Sequence, residues 1–195
     1  MNFPRILKKR KGYIDRIKPF MQKSVAKVLT GQRRVGKSFL LYQLIEEILG
    51  EEPDANIIYI NLEDFAFSSL QTAEDLHSYI ISHSKEKVKN YIFIDEIQDI
   101  PGFEKVIRSL LLNEDNDIYI TGSNAKMLSG ELATYLSGRY IEFKIYSLSY
   151  SEFLEFHGLT ESETSYELYS RYGGLPYLLN LPLEDETVNE YLKSV

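Results

Sequence analysis

The chain has 195 residues, 44% of them hydrophobic and 26% charged, with no cysteine and a formal net charge of −7. This composition predicts one substantial core with room for part of a second small domain, and it excludes disulfides and a cysteine nucleophile. His77, His83 and His157 stand apart from any metal-ligand spacing, and no segment has the apolar length of a membrane span or a signal peptide. We therefore expect a cytoplasmic protein with no membrane association.

The charge is unevenly distributed along the chain. The first 40 residues carry 12 Lys or Arg against one acid, Asp15, whereas the other 155 residues carry 10 against 28 acids. The basic stretch at residues 5–11, RILKKRK, is suited to contact nucleic acid or an acidic partner. The alternative is that it folds against the acidic remainder or flanks a polyphosphate site. That alternative is favoured, because an acidic protein repels DNA overall.

Strands and helices alternate over the first 147 residues. Apolar runs predict strands at Ser24–Thr30, Asn56–Asn61, Tyr91–Asp95, Asp117–Thr121 and Tyr140–Tyr146. Helical spacing predicts helices at Lys37–Leu49, Thr72–Ser84, Phe103–Asn113 and Ala125–Leu136. This alternation predicts right-handed crossovers and an α/β, doubly wound core, with a parallel sheet flanked by helices.

The pattern changes after residue 147. Helices are predicted at Ser149–Phe156, Glu163–Tyr172 and Leu183–Leu192 without intervening strands, broken by GGLP at residues 173–176 and by Pro182. We therefore predict a core domain at 1–147 that includes the basic N-terminal segment, and a small helical lid at 148–195. The last helical pattern runs to Val195 without a cap, so we expect the sequence to be truncated from a longer protein.

The segment GQRRVGKS, residues 31–38, has the pattern Gly-x4-Gly-Lys-Ser between a predicted strand and a predicted helix. Its glycines let successive N–H groups face a triphosphate, and the helix N-terminus adds its dipole. Lys37 is predicted to bridge the β- and γ-phosphates, and the Ser38 hydroxyl to bind Mg²⁺. The candidate nucleotide-binding residues are Gly31, Gln32, Arg33, Arg34, Val35, Gly36, Lys37, Ser38 and Phe39.

Two adjacent carboxylates end the third predicted strand, in YIFIDE. Asp95 and Glu96 are thereby delivered to the carboxyl edge of the sheet, where ligands bind in open α/β folds. Asp95 suits the Mg²⁺ shell, and Glu96 suits a base that orients and polarises an attacking water. A helix-capping acidic pair is the alternative. With the phosphate loop, the pair favours hydrolysis of a nucleoside triphosphate that is bound with Mg²⁺.

The loop contains two consecutive arginines, which the pattern Gly-x4-Gly-Lys-Ser does not require. The side chains of Arg33 and Arg34 point away from the backbone that faces the phosphates, so they need not touch the nucleotide. A phosphate, a DNA strand, a partner's acidic surface and nearby acids all stay open as contacts. Pairing with nearby acids is favoured, because only the basic N-terminus otherwise resembles a nucleic-acid surface.

The sequence resembles the prokaryotic AAA-type ATPases of the archaeal-ATPase group, relatives of the signal-transducing nucleotide-switch ATPases. The resemblance covers about residues 5–182, through IDRIKPF, VLTGQRRVGKS, YIFIDEIQDI, YITGSN, LSGRYIEFKIYSLSYSEF and YGGLP in that order. The loop and the acidic strand then correspond to the Walker A and Walker B motifs. The resemblance implies a five-stranded sheet in which the TGSN strand lies between the loop strand and the acidic strand.

Further roles are implied by the resemblance alone. Ser123 or Asn124 would be the polar sensor, with a strand-end turn as the alternative. Arg139 would be an arginine finger, in cis or from a neighbouring subunit in a homo-oligomer, with a surface salt bridge as the alternative. Pro176 of GGLP would pack on the adenine, with a plain turn as the alternative. Arg171 is the nearest candidate for a second sensor.

The sequence therefore predicts Mg²⁺-dependent ATP binding and hydrolysis, coupled to a conformational change. The main alternative is a signalling switch that holds ATP or ADP and hydrolyses slowly or never. A phosphotransferase would need an acceptor pocket, and the acidic pair and the absence of a small-molecule-kinase lid count against it. A DNA-linked ATPase that acts through the basic N-terminus is a third possibility and ranks lower.

Overall fold

Five parallel strands form a single sheet in the computed structural model, which describes residues 8–123 and 136–193. The strands are β1 (Ala26–Gly31), β2 (Asn56–Asn61), β3 (Asn90–Asp95), β4 (Asn116–Ser123) and β5 (Tyr140–Lys144). Their order is β2-β3-β4-β1-β5, and every neighbouring pair is parallel. The predicted α/β fold is confirmed, and β4 lies between β1 and β3 as the resemblance implies.

Seven α-helices occur within the described ranges. They are α1 (Lys11–Ile17), α2 (Lys37–Glu51), α3 (Ala73–His83), α4 (Phe103–Leu110), α5 (Tyr150–His157), α6 (Glu163–Tyr172) and α7 (Asp185–Leu192). Helices α2, α3 and α4 connect successive strands, as a parallel sheet requires. A further helix is predicted at Ala125–Leu136, and all of it except Leu136 lies outside the described residues.

The central strands are buried over their whole length. All six residues of β1 and all six of β3 are buried, as is usual for the central strands of a parallel sheet. Their side chains join a core with α3 and α4, which includes Val28, Ile94, Leu76 and Ile107. The sheet therefore has a rigid centre, and the residues at its carboxyl edge are fixed by it.

The chain divides into two compact units. The first contains the described residues up to Gly31 together with Lys37–Lys144, and so holds the whole sheet. The second groups Gln32–Gly36 with the chain from Ile145 onward. The boundary drawn from the sequence, after residue 147, lies slightly further along and stays a prediction.

The helical unit has two small apolar clusters of its own, centred on Phe153 and on Leu178 with Val188. Two of its helices, α5 and α6, start at serine capping boxes. Ser149 accepts a hydrogen bond from the Glu152 N–H, and the Glu152 side chain accepts one from the Ser149 N–H. Such a capping box satisfies two N–H groups that a helix start leaves without partners.

Gly174 is required by a close approach of two backbones inside the helical unit. A β-carbon at this position would lie 2.2 Å from the carbonyl oxygen of Leu148, whose N–H donates to the Gly174 oxygen at 2.7 Å. We expect Gly174→Ala to lower the free energy of unfolding by about 3 kcal/mol, the upper part of the usual range for overpacking. Thermal unfolding measures the effect, and Gly50→Ala, which has open space around it in α2, is the control. A Gly174→Ala variant as stable as the control would contradict this account.

A buried ion pair lies at the amino edge of the sheet. Lys27 on β1 contacts the Asp117 carboxylate on β4, and both side chains are fully buried. Asp117 also accepts from the Tyr119 hydroxyl at 2.7 Å and from the Gln22 N–H at 2.8 Å. The Lys27 ammonium donates to the Val25 oxygen at 2.9 Å. Burial lowers the pKa of Lys27, and the Asp117 carboxylate opposes that shift.

Candidate functional site

The phosphate-loop pattern lies at the carboxyl edge of the sheet, because β1 ends at Gly31 and α2 begins at Lys37. Lys37 is only 4% exposed, and its Nζ donates to the Gly31 carbonyl oxygen at 3.3 Å. Gly36, just before the helix, has φ +95°, a backbone conformation that favours glycine. The second glycine of the pattern is therefore required by the turn into α2.

Asp95 is the last residue of β3 and is 1% exposed. Three hydroxyl groups surround its carboxylate, those of Ser38, Thr121 and Tyr59, the last at 3.4 Å from Oδ2. Burial raises the pKa of Asp95, and the hydrogen bonds from Ser38 and Thr121 oppose that shift. The carboxylate is thereby held in one orientation beside the start of α2.

Glu96 follows directly, in a left-handed conformation with φ 56° and ψ 46°. A residue with a β-carbon rarely adopts this conformation, and it occurs most often where the surrounding structure requires it. The Glu96 N–H donates to the Thr121 hydroxyl at 3.0 Å, and its Oε1 lies 3.6 Å from the Lys37 ammonium. The structure thus brings Lys37, Asp95 and Glu96 together at one edge.

The residues at this edge fit a magnesium–nucleotide complex. The Ser38 hydroxyl and the Asp95 carboxylate are oxygen donors, which Mg²⁺ prefers. Within residues 8–123 and 136–193, no cluster of three or more His, Asp or Glu could hold a metal by itself. A cation with one or two protein ligands usually completes its shell with water and substrate phosphates, so this pair suits a nucleotide-bound ion.

The middle of the loop, Gln32–Gly36, belongs to the helical unit. Arg34, with φ 66°, lies over the ring of Tyr191, 5.5 Å from the centroid. A β-carbon at Gly36 would meet Pro176 Cγ at 3.7 Å, an ordinary contact. Arg34 therefore meets an aromatic ring there, a contact that the sequence analysis did not consider for the loop arginines.

Two further members of the loop segment differ in exposure. Val35 is buried, which anchors the loop, whereas Phe39 in the first turn of α2 is 47% exposed. The Phe39 ring contacts Tyr42 edge-on, with centroids 6.0 Å apart.

Among the described residues, those that the resemblance implies as sensors and as the arginine finger make no hydrogen bond or ion pair with Lys37, Asp95 or Glu96. Ser123 ends β4 and pairs in register with Gly31, whereas Asn124 lies outside the described residues. Arg139 is exposed and precedes β5, and its carbonyl oxygen accepts from Ala26 at the amino end of β1. The role of Arg139 as an arginine finger, in cis or from a neighbouring subunit, stays a prediction. Arg171 pairs with Asp185 in the helical unit.

The described part of the basic N-terminal segment lies against α2. Gln43, which is buried, accepts from the Arg10 N–H at 2.9 Å and donates to the Lys8 carbonyl oxygen at 2.9 Å. Lys9 and Lys18 both pair with Glu47, at 2.6 and 2.7 Å, and these two lysines lower the pKa of that carboxylate. This arrangement is the one expected from folding against acidic residues. Residues 5–7 lie outside the described part.

Three residues at the site were not singled out by the sequence analysis, namely Thr121, Tyr59 and Gln98. Thr121 lies at the carboxyl end of a predicted strand, a position that could have drawn attention. Tyr59 is placed beside Asp95 by the pairing of β2 with β3. Gln98 stands two residues after Glu96 in the motif DEIQ. Its side-chain amide donates a hydrogen bond to the Glu96 carboxylate, a contact that the sequence does not reveal.

The sheet order and the glycine loop define a P-loop nucleotide-binding fold of the ATPase type. The chain matches the AAA-domain family over residues 23–154, and it belongs to that family. The narrower archaeal-ATPase grouping stays a prediction.

Two curated relatives and a solved structure are similar to this chain. An uncharacterized protein of Haemophilus influenzae is 39% identical over 194 residues, covering 95% of this chain and 47% of that protein. The uncharacterized protein MJ1544 of Methanocaldococcus jannaschii is 32% identical over 184 residues, covering 87% and 40%. The chain thus spans less than half the length of these curated relatives. The structure of the Aeropyrum pernix ORC1 protein in complex with DNA has a TM-score of 0.57 at 12% identity, covering 98% of this chain and 66% of that one.

No helix in the described ranges is long and apolar enough to cross a membrane.

Proposed function

We propose that this chain binds ATP with Mg²⁺ and hydrolyses it, with Glu96 as the general base. The observation that carries the proposal is the grouping of a buried lysine, a buried aspartate and a glutamate at the end of β1 and β3. Lys37 and Glu96 lie 3.6 Å apart, and Asp95 is adjacent to Glu96 in the chain. A donor for phosphate, a metal ligand and a base are therefore available within one edge of the sheet.

Each residue of the site is assigned a role that suits its chemistry. Lys37 and the loop N–H groups would hold the phosphates, and Ser38 with Asp95 would hold Mg²⁺, which supplies positive charge that stabilises the transferring phosphoryl group. Glu96 would accept a proton from the attacking water. The Thr121 hydroxyl links Asp95 to the Glu96 backbone, so it keeps the metal ligand and the base in a fixed relation.

Coupling to a conformational change is proposed from the loop. Gln32–Gly36 belongs to the helical unit, so a rearrangement of this segment on binding phosphate would also affect the contact of Arg34 with the Tyr191 ring. Pro176 is proposed to pack on the adenine, and Ser123 to sense the γ-phosphate. Arg139 is proposed as an arginine finger, in cis or from a neighbouring subunit of a homo-oligomer.

Glu96→Gln tests the proposal. We expect kcat for ATP hydrolysis to fall about 100-fold or more, because a glutamine cannot accept the proton, while the Kd for Mg²⁺-ATP stays within about threefold. Phosphate release measures kcat, and titration of a fluorescent ATP analogue measures Kd.

The matched control is Glu86→Gln, which makes the same change at an exposed position and is expected to leave both constants unchanged. Turnover that survives Glu96→Gln would remove the assigned role of this residue. A wild-type chain that retains ADP on purification and completes only a single turnover would instead support the slowly hydrolysing switch.

A further inference from the structure

Gln98 is tied to the proposed base by a short turn. The 3₁₀ turn Ile97–Asp99 follows Glu96 directly, and the Asp99 N–H donates to the Glu96 carbonyl oxygen at 3.2 Å. The Gln98 amide nitrogen donates to Glu96 Oε2 at 2.6 Å. Ile97, between the two, is fully buried. The turn therefore fixes the amide of Gln98 relative to the carboxylate of Glu96.

The two oxygens of the Glu96 carboxylate have different partners. Oε1 faces the Lys37 ammonium at 3.6 Å, and Oε2 accepts from Gln98. Lys37 is the residue proposed to bind phosphate, so its ammonium has a competing acceptor when ATP is present. The amide of Gln98 is a neutral donor, which phosphate attracts less strongly than it attracts the Lys37 ammonium. Oε1 is therefore the oxygen that becomes available to a water, while Gln98 keeps Oε2 in place.

The amide oxygen of Gln98 is a second acceptor at this point. Its orientation is determined, because a carboxylate oxygen only accepts, so the nitrogen of the amide must face Glu96. The oxygen is buried and has no hydrogen-bond partner among the described residues. Buried acceptors are nearly always paired in folded proteins, so an acceptor of this kind indicates a donor such as water.

We propose that Gln98 positions Glu96 for catalysis and that its amide oxygen accepts a hydrogen bond from the water that Glu96 deprotonates. The inference rests on the proposed ATP hydrolysis at this site. The water oxygen forms the new bond to the γ-phosphorus, and the bond from that phosphorus to the bridging oxygen breaks, leaving its electron pair on ADP. One water proton passes to Glu96, and the other stays on the phosphate product. Because the Glu96 carboxylate and the Gln98 amide oxygen each accept one hydrogen bond from the water, a lone pair of the water oxygen can attack the γ-phosphorus.

Gln98→Met tests this inference, because methionine has a similar length and lacks both the donor and the acceptor. We expect kcat to fall roughly 10- to 100-fold, as for other positioned hydrogen-bonding groups, with the Kd for Mg²⁺-ATP within about twofold. Gln98→Glu, which keeps the shape and loses the donor, is expected to lose at least as much. Gln71→Met on the exposed surface is the matched control and keeps the wild-type kcat.

A double substitution separates positioning from a structural role. In a Glu96→Gln background, adding Gln98→Met is expected to change kcat by less than about twofold, because residues that act as a unit are strongly non-additive. An equal loss in both backgrounds, or a wild-type kcat in Gln98→Met and Gln98→Glu, would overturn the role of Gln98 while the ATPase proposal stands. Absence of turnover in the wild-type chain would overturn both, and unchanged ATP binding by Lys37→Ala would overturn the site itself.

Discussion

Replacing Lys37 with alanine is expected to raise the Kd for Mg²⁺-ATP about 1,000-fold and to abolish turnover. Lys37 is buried at the start of α2, where water screens its charge poorly. Truncating one partner of a buried, hydrogen-bonded charge pair costs about 2–5 kcal/mol, and 1.4 kcal/mol corresponds to a tenfold change in Kd. Calorimetric titration of Mg²⁺-ATP measures the change.

The control for Lys37→Ala removes a lysine from the surface. Lys105→Ala changes an exposed residue of α4 and is expected to bind ATP as the wild type does. Thermal unfolding of both variants shows whether a loss of binding comes from loss of fold. Wild-type affinity in a folded Lys37→Ala variant would refute the assignment of the loop to phosphate.

Replacing Asp117 with alanine is expected to lower the free energy of unfolding by about 3–5 kcal/mol, the usual cost of leaving one charge of a buried pair without its partner. The Lys27 ammonium would keep only the Val25 oxygen and the Tyr119 ring, whose centroid lies 4.6 Å away. For a chain of this size the melting temperature falls by roughly 6–20 °C. Urea titration and thermal unfolding both measure the loss.

The pH dependence of the Asp117→Ala variant has a definite sign. Burial holds the pKa of Lys27 below 10.5 in the folded chain, and loss of the carboxylate lowers this pKa further. Between the folded pKa and 10.5 the unfolded chain binds more protons, so stability rises with pH. The difference in the free energy of unfolding between wild type and Asp117→Ala is therefore expected to become smaller as the pH approaches 10.5.

A double substitution is the control for the buried pair. Lys27→Met with Asp117→Leu replaces both charges by apolar groups of similar size, and such changes are often neutral or stabilising. We expect this variant to recover most of the stability lost in Asp117→Ala. A double variant as unstable as the single one would show that packing or the lost hydrogen bonds from Tyr119 and Gln22, and not the unpaired lysine, cause the loss.

The sequence was most informative where local signals and burial agree. β2 and α6 have the predicted bounds, Asn56–Asn61 and Glu163–Tyr172, because a short apolar run and a Ser-capped helix are local features. α4 ends at Leu110, whereas the prediction extended it to Asn113. The side-chain oxygen of Asn113 accepts a hydrogen bond from the Asp115 N–H in the turn that follows. α1 was missed, because the lysines and arginines around Gly12 obscure the spacing of Ile14 and Ile17, which are both buried.

The site was predictable only in part. The glycine loop and the acidic pair are contiguous in the sequence, so their positions at the strand ends follow from the alternation of elements. Thr121 and Tyr59 reach Asp95 from neighbouring strands, and this needs the order of the sheet and its register. The hydrogen bond from Gln98 to Glu96 spans a left-handed residue and a 3₁₀ turn, and a single sequence does not reveal that conformation.

The hydrogen bonds of Gln43 to Lys8 and Arg10 determine where a recombinant fragment should begin. The family match starts at residue 23, and cutting there removes α1 and the partners of a buried amide. The cut also removes the buried side chains of Ile14 and Ile17, and the Gln43 amide lies on the helix that begins at Lys37. A protein expressed from the family boundary would therefore carry a weakened α2, so the first dozen residues belong in any clone prepared for enzymology.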